Sequence, residues 1–478
     1  MRKYILFLSA IILLAACNKD ISTEPKSTDE EFPTAAGGNS NHESATFAET
    51  GMIDLGVTGA AEISAYDPDT KRLFVVNNTA GNNRIDVVNL ANPSSPAFVT
   101  SIPVAPYGGL VNSVSVKNGK LAAAIEATTK TNNGKVAVFN TNNYGELAVI
   151  TVGAQPDMVT FSPDGNFILT ANEGEPNDAY TIDPMGTVSI IDVANNYNVT
   201  NLDFSGFASQ ADALKAQGLR VYGPNASFAQ DMEPEYVAVS ANSKTAWVTL
   251  QENNGFAKID IPTKTIQKIF PFGFKNFNLD MNAIDVSDQD GAPYSAAAWP
   301  VKGIYCPDAI AVHPNNGIPF VYTANEGDAR EYAGFAENVR LSNAGYVLDP
   351  TVFPNAATLK LNTKLGRLNV TKTLGDTDGD GDYDEIYAPG GRSFSIWHGN
   401  TGELIFDSKN DLDIRAFAAG KYADSRSDDK SVEPEGITIG RVGNKTLLFV
   451  NAADSPNGKS LLIISSEVDG IVKIYTTQ

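Results

Sequence analysis

The chain has 478 residues, 42% hydrophobic and 19% charged, long and apolar enough to bury a core larger than one ordinary domain needs. Its 56 Asp and Glu against 35 Lys and Arg leave a net charge of −21. That balance excludes a nucleic-acid footprint, because phosphates need a basic face, and it suits cations or cationic partners.

The N-terminus reads as a secretion signal. Arg2 and Lys3 form a positive start, and residues 4–14 an apolar run too short to span a bilayer. The run ends in Leu14-Ala15-Ala16-Cys17, which looks like a bacterial lipobox: small residues fit the signal peptidase and the Cys17 thiol takes the lipid. Residues 1–16 are the expected lipoprotein signal peptide, 17–50 a lipidated flexible tether and 51–478 the folded domain. Asn18, rather than Asp, after Cys17 favours the outer membrane of a Gram-negative bacterium, and Lys19-Asp20 resembles a signal for export to the cell surface. Only Cys306 then remains, so no intramolecular disulfide is expected in the mature chain. The tether is poor in apolar residues and rich in Ser, Thr, Asn, Gly and acids, as a solvated linker is.

From about residue 52 the pattern is all-β, with short Val/Ile/Phe/Thr runs between Asn/Gly/Asp/Pro turns. The best helical periodicity is a short amphipathic stretch at 209–219. Seven units align by a strand, a polar turn and a second strand. Their first strands begin near Glu62, Asn112, Asp157, Glu235, Asp308, Arg392 and Glu435. Four of them open on a proline and an acid: PDMVTF, PEYVAV, PDAIAV and PEGITI. A basic unit of roughly 45 residues fits four-stranded blades, so the expectation is a seven-bladed β-propeller with loop insertions on one face. Met52 to Leu55 is expected to close the ring against the run at 472–475.

In such a fold the starts of the inner strands and the loops after the second strands share one face. Those positions carry Glu62, Asp157, Glu235, Asp308 and Glu435, together with Glu126, Glu173, Glu175, Glu252, Glu326 and Asp328. The insertions at 200–233, 275–306 and 329–360 fall on the same side, where function concentrates. Like charges held close need a cation or a basic group to offset them. Glu173, Glu235, Asp308, Glu326 and Glu435 are therefore candidate ligands for Ca²⁺ or for a basic ligand. Arg330, Arg392 and Lys430 lie nearby in this scheme and are candidate anion contacts, or neutralise the ring.

Residues 376–385, DTDGDGDYDE, place Asp376, Asp378 and Asp380 at positions 1, 3 and 5 of a loop with Gly381 at position 6. That is calcium-loop spacing, with hard carboxylates turned inward and a glycine at the sharp turn. Position 12 is Tyr387, not Glu, so Asp384 or Glu385 would supply the closing carboxylate, and Asp382 is a further candidate ligand in the same run. Asp285, Asp288 and Asp290 form a third candidate cation loop. The three histidines lie in the tether (His42) or in turns on the opposite face (His313, His398), and P-loop, G-x-S-x-G and CxxC patterns are absent.

The strings PDMVTFSPDG, TANEGEPND, EPEYVAVS, TANEGDAREY, GDTDGDGDYDE and DDKSVEPEGI resemble the secreted bacterial propellers called choice-of-anchor I, over roughly residues 50–478. That family is similar to the mesenchyme-specific cell surface glycoproteins of echinoderms and to a region of some atypical alkaline phosphatases. The resemblance implies a surface-anchored propeller, here anchored through Cys17. The association of the echinoderm relatives with calcium mineral agrees with the acidic loops. The expected function is a calcium-binding surface lipoprotein whose acidic face meets a small-molecule, mineral or protein ligand. The alternative is a metal-dependent phosphoesterase, with carboxylate-held Ca²⁺ activating water and Arg330, Arg392 and Lys430 clamping phosphate.

Overall fold

A computed structural model describes residues 50–55, 60–79, 81–442, 445–452, 461–466 and 472–476. The signal peptide and tether readings lie outside the described residues. The architecture is a β-propeller of four-stranded antiparallel sheets. The first sheet runs Ala60–Asp67, Arg72–Asn77, Arg84–Asn89 and Ala97–Pro103, each strand paired with the next. The second begins at Val111–Lys117, the third at Pro156–Phe161, the fourth at Pro234–Val239, the fifth at Ile310–Asn315 and the sixth at Pro434–Val442. These six first strands pack side by side in chain order and form the inner wall.

Burial follows the strand order outward from that wall. Second strands such as Lys120–Ile125, Phe167–Asn172 and Thr245–Leu250 are almost wholly buried, between the layers of neighbouring sheets. Fourth strands such as Ala97–Pro103 and Asn198–Asp203 are mostly exposed or partly so. The sequence supplies the difference: KLAAAI and FILTAN are near-continuous apolar runs, as strands covered on both faces are. Each fully buried Val, Leu or Ile contributes about 1.5–3 kcal/mol. Sheets are also pinned to one another by polar contacts: the buried Trp247 of the fourth sheet donates its indole N–H to Gly399 O of the fifth (2.8 Å). The turn chemistry is local. In Ser162-Pro163-Asp164-Gly165, Ser162 Oγ donates to Asp164 Oδ1 (2.6 Å), and Gly165 takes the left-handed φ of 75° that closes the hairpin.

Two expectations are corrected. The described residues form six four-stranded sheets, not seven. The unit read as starting at Arg392 is the strand Ser393–His398, third in the fifth sheet, between Ile318–Asn325 and Leu404–Asp407. Its run RSFSIW has the alternation of a first strand, but alternation says nothing about which partner a strand finds. Met52 to Leu55 forms no strand, and Val472–Thr476 pairs with Leu461–Ser466 as the last strand of the sixth sheet.

Between the second and third strands of the fifth sheet lies a long insertion, 326–392. It builds a small layer with the segment 274–304: Phe274–Asn276, Lys302–Ile304 and Tyr387–Pro389 form a three-stranded sheet with one parallel pair. Phe277, Val301, Leu341, Tyr346, Leu368 and Val370 fill the core of this layer. The 200–233 insertion joins it through the buried pairs Arg220–Glu337 and Arg330–Asp231. The three insertions thus meet, as expected of loops on one face. The stretch at 209–219 holds one turn of helix, Ala211–Lys215, after a 3-10 segment. The helix Asp411–Ala418 was not anticipated.

Candidate functional site

At three of the four Pro-acid starts the residue before the proline has a positive φ: Gln155 (49°), Cys306 (40°) and Glu433 (46°). A following proline biases a residue towards extended backbone, and non-glycine residues seldom turn left-handed. Each such turn costs about 1–3 kcal/mol, which the surrounding strands must offset.

Gln155 is 7% exposed, and its amide N–H donates to both Glu173 and Glu175 (2.5 Å to the latter). Glu175 also accepts from Lys130 Nζ (2.8 Å) and the Tyr332 hydroxyl (2.6 Å). Glu326 accepts from Gln251 (2.8 Å) and from Lys430 Nζ (2.6 Å), and Lys430 reaches Asp328 at 3.2 Å. Asn112 donates to Glu126 (3.0 Å).

The acids of several sheets share one field. Burial raises Glu173 well above the ordinary carboxylate range, and Glu175 and Asp157 add to it. Glu235 is raised by burial, then by Glu173 and Asp157. Asp308 is raised by burial, then by Glu326, Asp157 and Glu435. The structure therefore brings Asp157, Glu173, Glu235, Asp308, Glu326 and Glu435 together. The Glu62 side chain lies outside the described residues. Glu252, expected on this face, joins the cluster, and so do Gln155 and Glu233, which the sequence reading missed. Glu233 is 1% exposed, and burial pushes it up to about 7 against the pull of Arg330. Glu235 Oε2, Glu252 Oε2, Glu233 Oε1 and Gln155 Oε1 are buried and receive no hydrogen bond from the protein.

The three candidate anion contacts already have protein partners, two of them within the acid cluster. Arg330 is buried and bonds Asp231 (2.6 Å) and Glu233 (3.0 Å), with its guanidinium 4.5 Å from the Tyr222 ring centre. Arg392 is buried and donates to three carbonyls, Asp285 O (2.6 Å), Ser427 O (2.9 Å) and Asp429 O (2.7 Å). Lys430 is held by Glu326 and Asp328. All three neutralise or brace, and the phosphate clamp loses its geometric basis.

The loop at 376–385 has a different construction. Carboxylate oxygens of Asp376, Asp378 and Asp384 lie within 4.8 Å of one another, and so do those of Asp349, Asp382 and Asp384. Asp384 belongs to both sets. Backbone N–H groups shape the loop: Gly379 and Gly381 donate to Asp376 (2.7 and 3.1 Å), and Thr377 donates to Asp384 through its N–H and its hydroxyl (2.8 and 2.6 Å). Asp382 Oδ1 is buried without a donor. Asp380 accepts from the Asp382 N–H (3.1 Å) and belongs to neither set. Glu385 pairs with Lys302 (2.7 Å), so Asp384 is the residue that completes the set. Asp349, missed in the sequence, arrives from the insertion: Asp349 N donates to Tyr383 O (3.0 Å), and Tyr346 stacks on Tyr383 with ring centres 3.8 Å apart. The hard-oxygen donor set and the orphaned oxygen fit a calcium ion.

Among the described residues, the third candidate loop supplies no set of three carboxylates spaced for one ion. Asp288 is bidentate to Arg367 (2.8 and 3.2 Å), Asp285 accepts from Ser295 N (2.8 Å) and Asp290 from Ala292 N (2.9 Å). These acids hold their own loop and its neighbour.

With this geometry in place, two family models match the chain: the choice-of-anchor I domain over residues 62–461, and the prokaryotic membrane lipoprotein lipid attachment site over residues 1–18. Gigasin-3a of Magallana gigas is 31% identical over 101 residues, 18% of this chain; the chain spans about a third (35%) of that relative's length. Among solved structures, the periplasmic gluconolactonase of Pseudomonas aeruginosa is 12% identical, with a TM-score of 0.42 over 89% of this chain and 86% of its own. The WD40 domain of Toxoplasma gondii coronin is 9% identical, with a TM-score of 0.40 over 87% of this chain and 70% of its own.

Proposed function

This chain belongs to the choice-of-anchor I domain family, and from that premise we propose that it is a calcium-binding lipoprotein that presents an acidic propeller face to a ligand. A lipid attachment site at the N-terminus makes it a membrane-anchored protein, and Cys17 is the residue that takes the lipid. The outer membrane of a Gram-negative cell, with the domain at the cell surface, is the place this reading gives it. The observation that supports calcium is the pair of carboxylate sets joined at Asp384. One ion in the Asp376–Asp378–Asp384 set, or between the two sets, would tie the loop at 376–385 to the part of the same insertion that carries Asp349. The role of calcium here is to rigidify the insertion face, beside which the inner acids lie. Hydrolysis of phosphoric esters is not part of the reading, because Arg330, Arg392 and Lys430 already have protein partners.

Thermal melting of the mature protein tests this. Calcium is expected to raise the melting temperature and EDTA to reverse the rise. Binding of an ion by the folded state alone adds about 2.7 kcal/mol at a hundred times the dissociation constant. A melting curve indifferent to both reagents overturns the calcium assignment.

A further inference from the structure

The inner acid cluster and the calcium loop call for different guests. Among the described residues, sets of three carboxylates spaced for one metal ion occur in the loop and not among the inner acids. The inner acids instead already hold primary ammonium groups, and those are the protein's own. Lys130 Nζ sits on Glu175 (2.8 Å) and Lys430 Nζ on Glu326 and Asp328 (2.6 and 3.2 Å). Both lysines stand at the edge of the cluster. Further in, Glu252 Oε2 and Gln155 Oε1 are buried acceptors without donors on residues 8% and 7% exposed, and Glu235, which shares a hydrogen bond with Glu173, leaves its Oε2 without a donor. The Gln155 amide that carries the orphan oxygen is the one that donates to Glu173 and Glu175, so that oxygen lies within the cluster. Buried acceptors without donors are costly, and several in one place are a demand for N–H groups carrying positive charge.

A cleft of about 340 Å³ opens beside the cluster, lined by Gly327, Asp328, Ala329, Glu331, Arg340 and Lys430 among others. Lys430 belongs both to the wall of this cleft and to the ion pair with Glu326. The cleft thus touches the cluster at its edge, where an incoming ammonium would meet Asp328 and compete with Lys430 for Glu326.

We propose that the inner acid cluster binds an aliphatic polyamine, whose ammonium groups donate to Glu235 Oε2, Glu252 Oε2 and Gln155 Oε1 after entry past Lys430. This inference rests on the acidic-face part of the proposed function and is independent of calcium in the loop. Slim, flexible and multiply charged, a polyamine matches acids that are drawn from separate sheets and partly covered by insertions. An ammonium group offers three donors, which a metal ion does not.

The test is a calorimetric titration of the full mature lipoprotein in detergent micelles with spermidine, in EDTA and 150 mM NaCl, on the order of one physiological Debye length of screening. Saturable binding is expected. The double variant E235Q/E252Q, isosteric and checked by its melting curve, is expected to lose at least about tenfold in affinity, the equivalent of one lost charge-assisted hydrogen bond. K430M, which removes the internal competitor, is expected to bind several-fold more tightly. Absence of saturation in the wild type and K430M overturns the proposal, and so does an affinity that the double variant leaves unchanged. Calcium that displaces spermidine from D384N also overturns it, because the inner site would then hold metal. Tetralysine titrated in parallel separates the two readings: if it binds and spermidine does not, the acidic face stands as a binding surface and the amine assignment falls. If neither binds, both fall.

Discussion

The acidic loop at 376–385 and the inner acid cluster are both rich in carboxylates, yet they are assembled in opposite ways. In the loop, four of the five acids that meet come from the nine residues 376–384, and the groups shaping them are backbone N–H groups a few positions away. In the inner cluster, Glu173, Glu235, Asp308, Glu326 and Glu435 come from four different sheets, and buried charge pairs and strained turns hold them in place. A short-range arrangement leaves its acids exposed or half-buried. A long-range one buries them, and burial keeps protons on Glu173, Glu235 and Asp308 to higher pH. The first suits a hard ion taken directly from water. The second, where acids hold protons, suits a cationic guest able to displace them.

The largest effect that sharpens this contrast is expected at Arg330. Arg330→Met leaves Asp231 and Glu233 buried without their partner, and removing one member of a buried ion pair costs about 3–5 kcal/mol. Urea denaturation should show a loss of that size. A loss under about 1 kcal/mol would mean that the cluster is not braced by this pair.

Next comes Asp384→Asn. It removes the acid common to both carboxylate sets, so the calcium-dependent rise in melting temperature should vanish, a loss of roughly 2–3 kcal/mol at saturating calcium. Asp349→Asn touches only one set and should retain part of the rise. Equal loss in both variants would mean that the two sets act as one site.

The pH dependence is a smaller effect and falls on the inner cluster. Glu173, Glu235 and Asp308 have folded values raised above their unfolded values of 4.5 and 3.8, so the folded state binds more protons than the unfolded chain. Their contribution is full below the unfolded values and is lost as pH rises through the folded ones. Glu233 at about 7 and Asp413 at about 6 act in the same direction. The metal-free protein should therefore melt at progressively lower temperature from about pH 5 to pH 8, and Glu235→Gln should flatten that slope. A melting temperature that rises across this interval contradicts the burial assigned to these acids.

The smallest effect is expected at Asp288. Its pair with Arg367 is partly exposed on both sides, and such pairs contribute about 0–1 kcal/mol. Asp288→Asn should change urea stability by no more than that and leave calcium binding unaltered. A change in calcium affinity would return this loop to the candidate sites.

What could be read from the chain divides along the same line. The loop was legible as a cluster because most of its acids are coded by spacing, D-x-D-x-D-G, although Asp380 of that spacing joins neither set and Asp349 was missed. That residue reaches the site through the contact of Tyr346 with Tyr383, a pairing that no local pattern announces. The inner acids were legible as a set because the Pro-acid start recurs. Their setting was not: Gln155, Glu233 and Cys306 look like ordinary residues before a proline, and the positive φ of Gln155 and Cys306 is imposed by the fold. The misreading of Arg392 has the same origin. An arginine ahead of an alternating strand looks like an available cation, whereas three carbonyls from residues 285, 427 and 429 enclose it once the insertions pack.

The most direct measurement is the metal content of the purified mature protein by elemental mass spectrometry, wild type beside D384N, after dialysis against metal-free buffer. The account predicts calcium in the wild type and its loss in D384N. A wild type free of calcium, or a D384N variant that keeps it, contradicts the account.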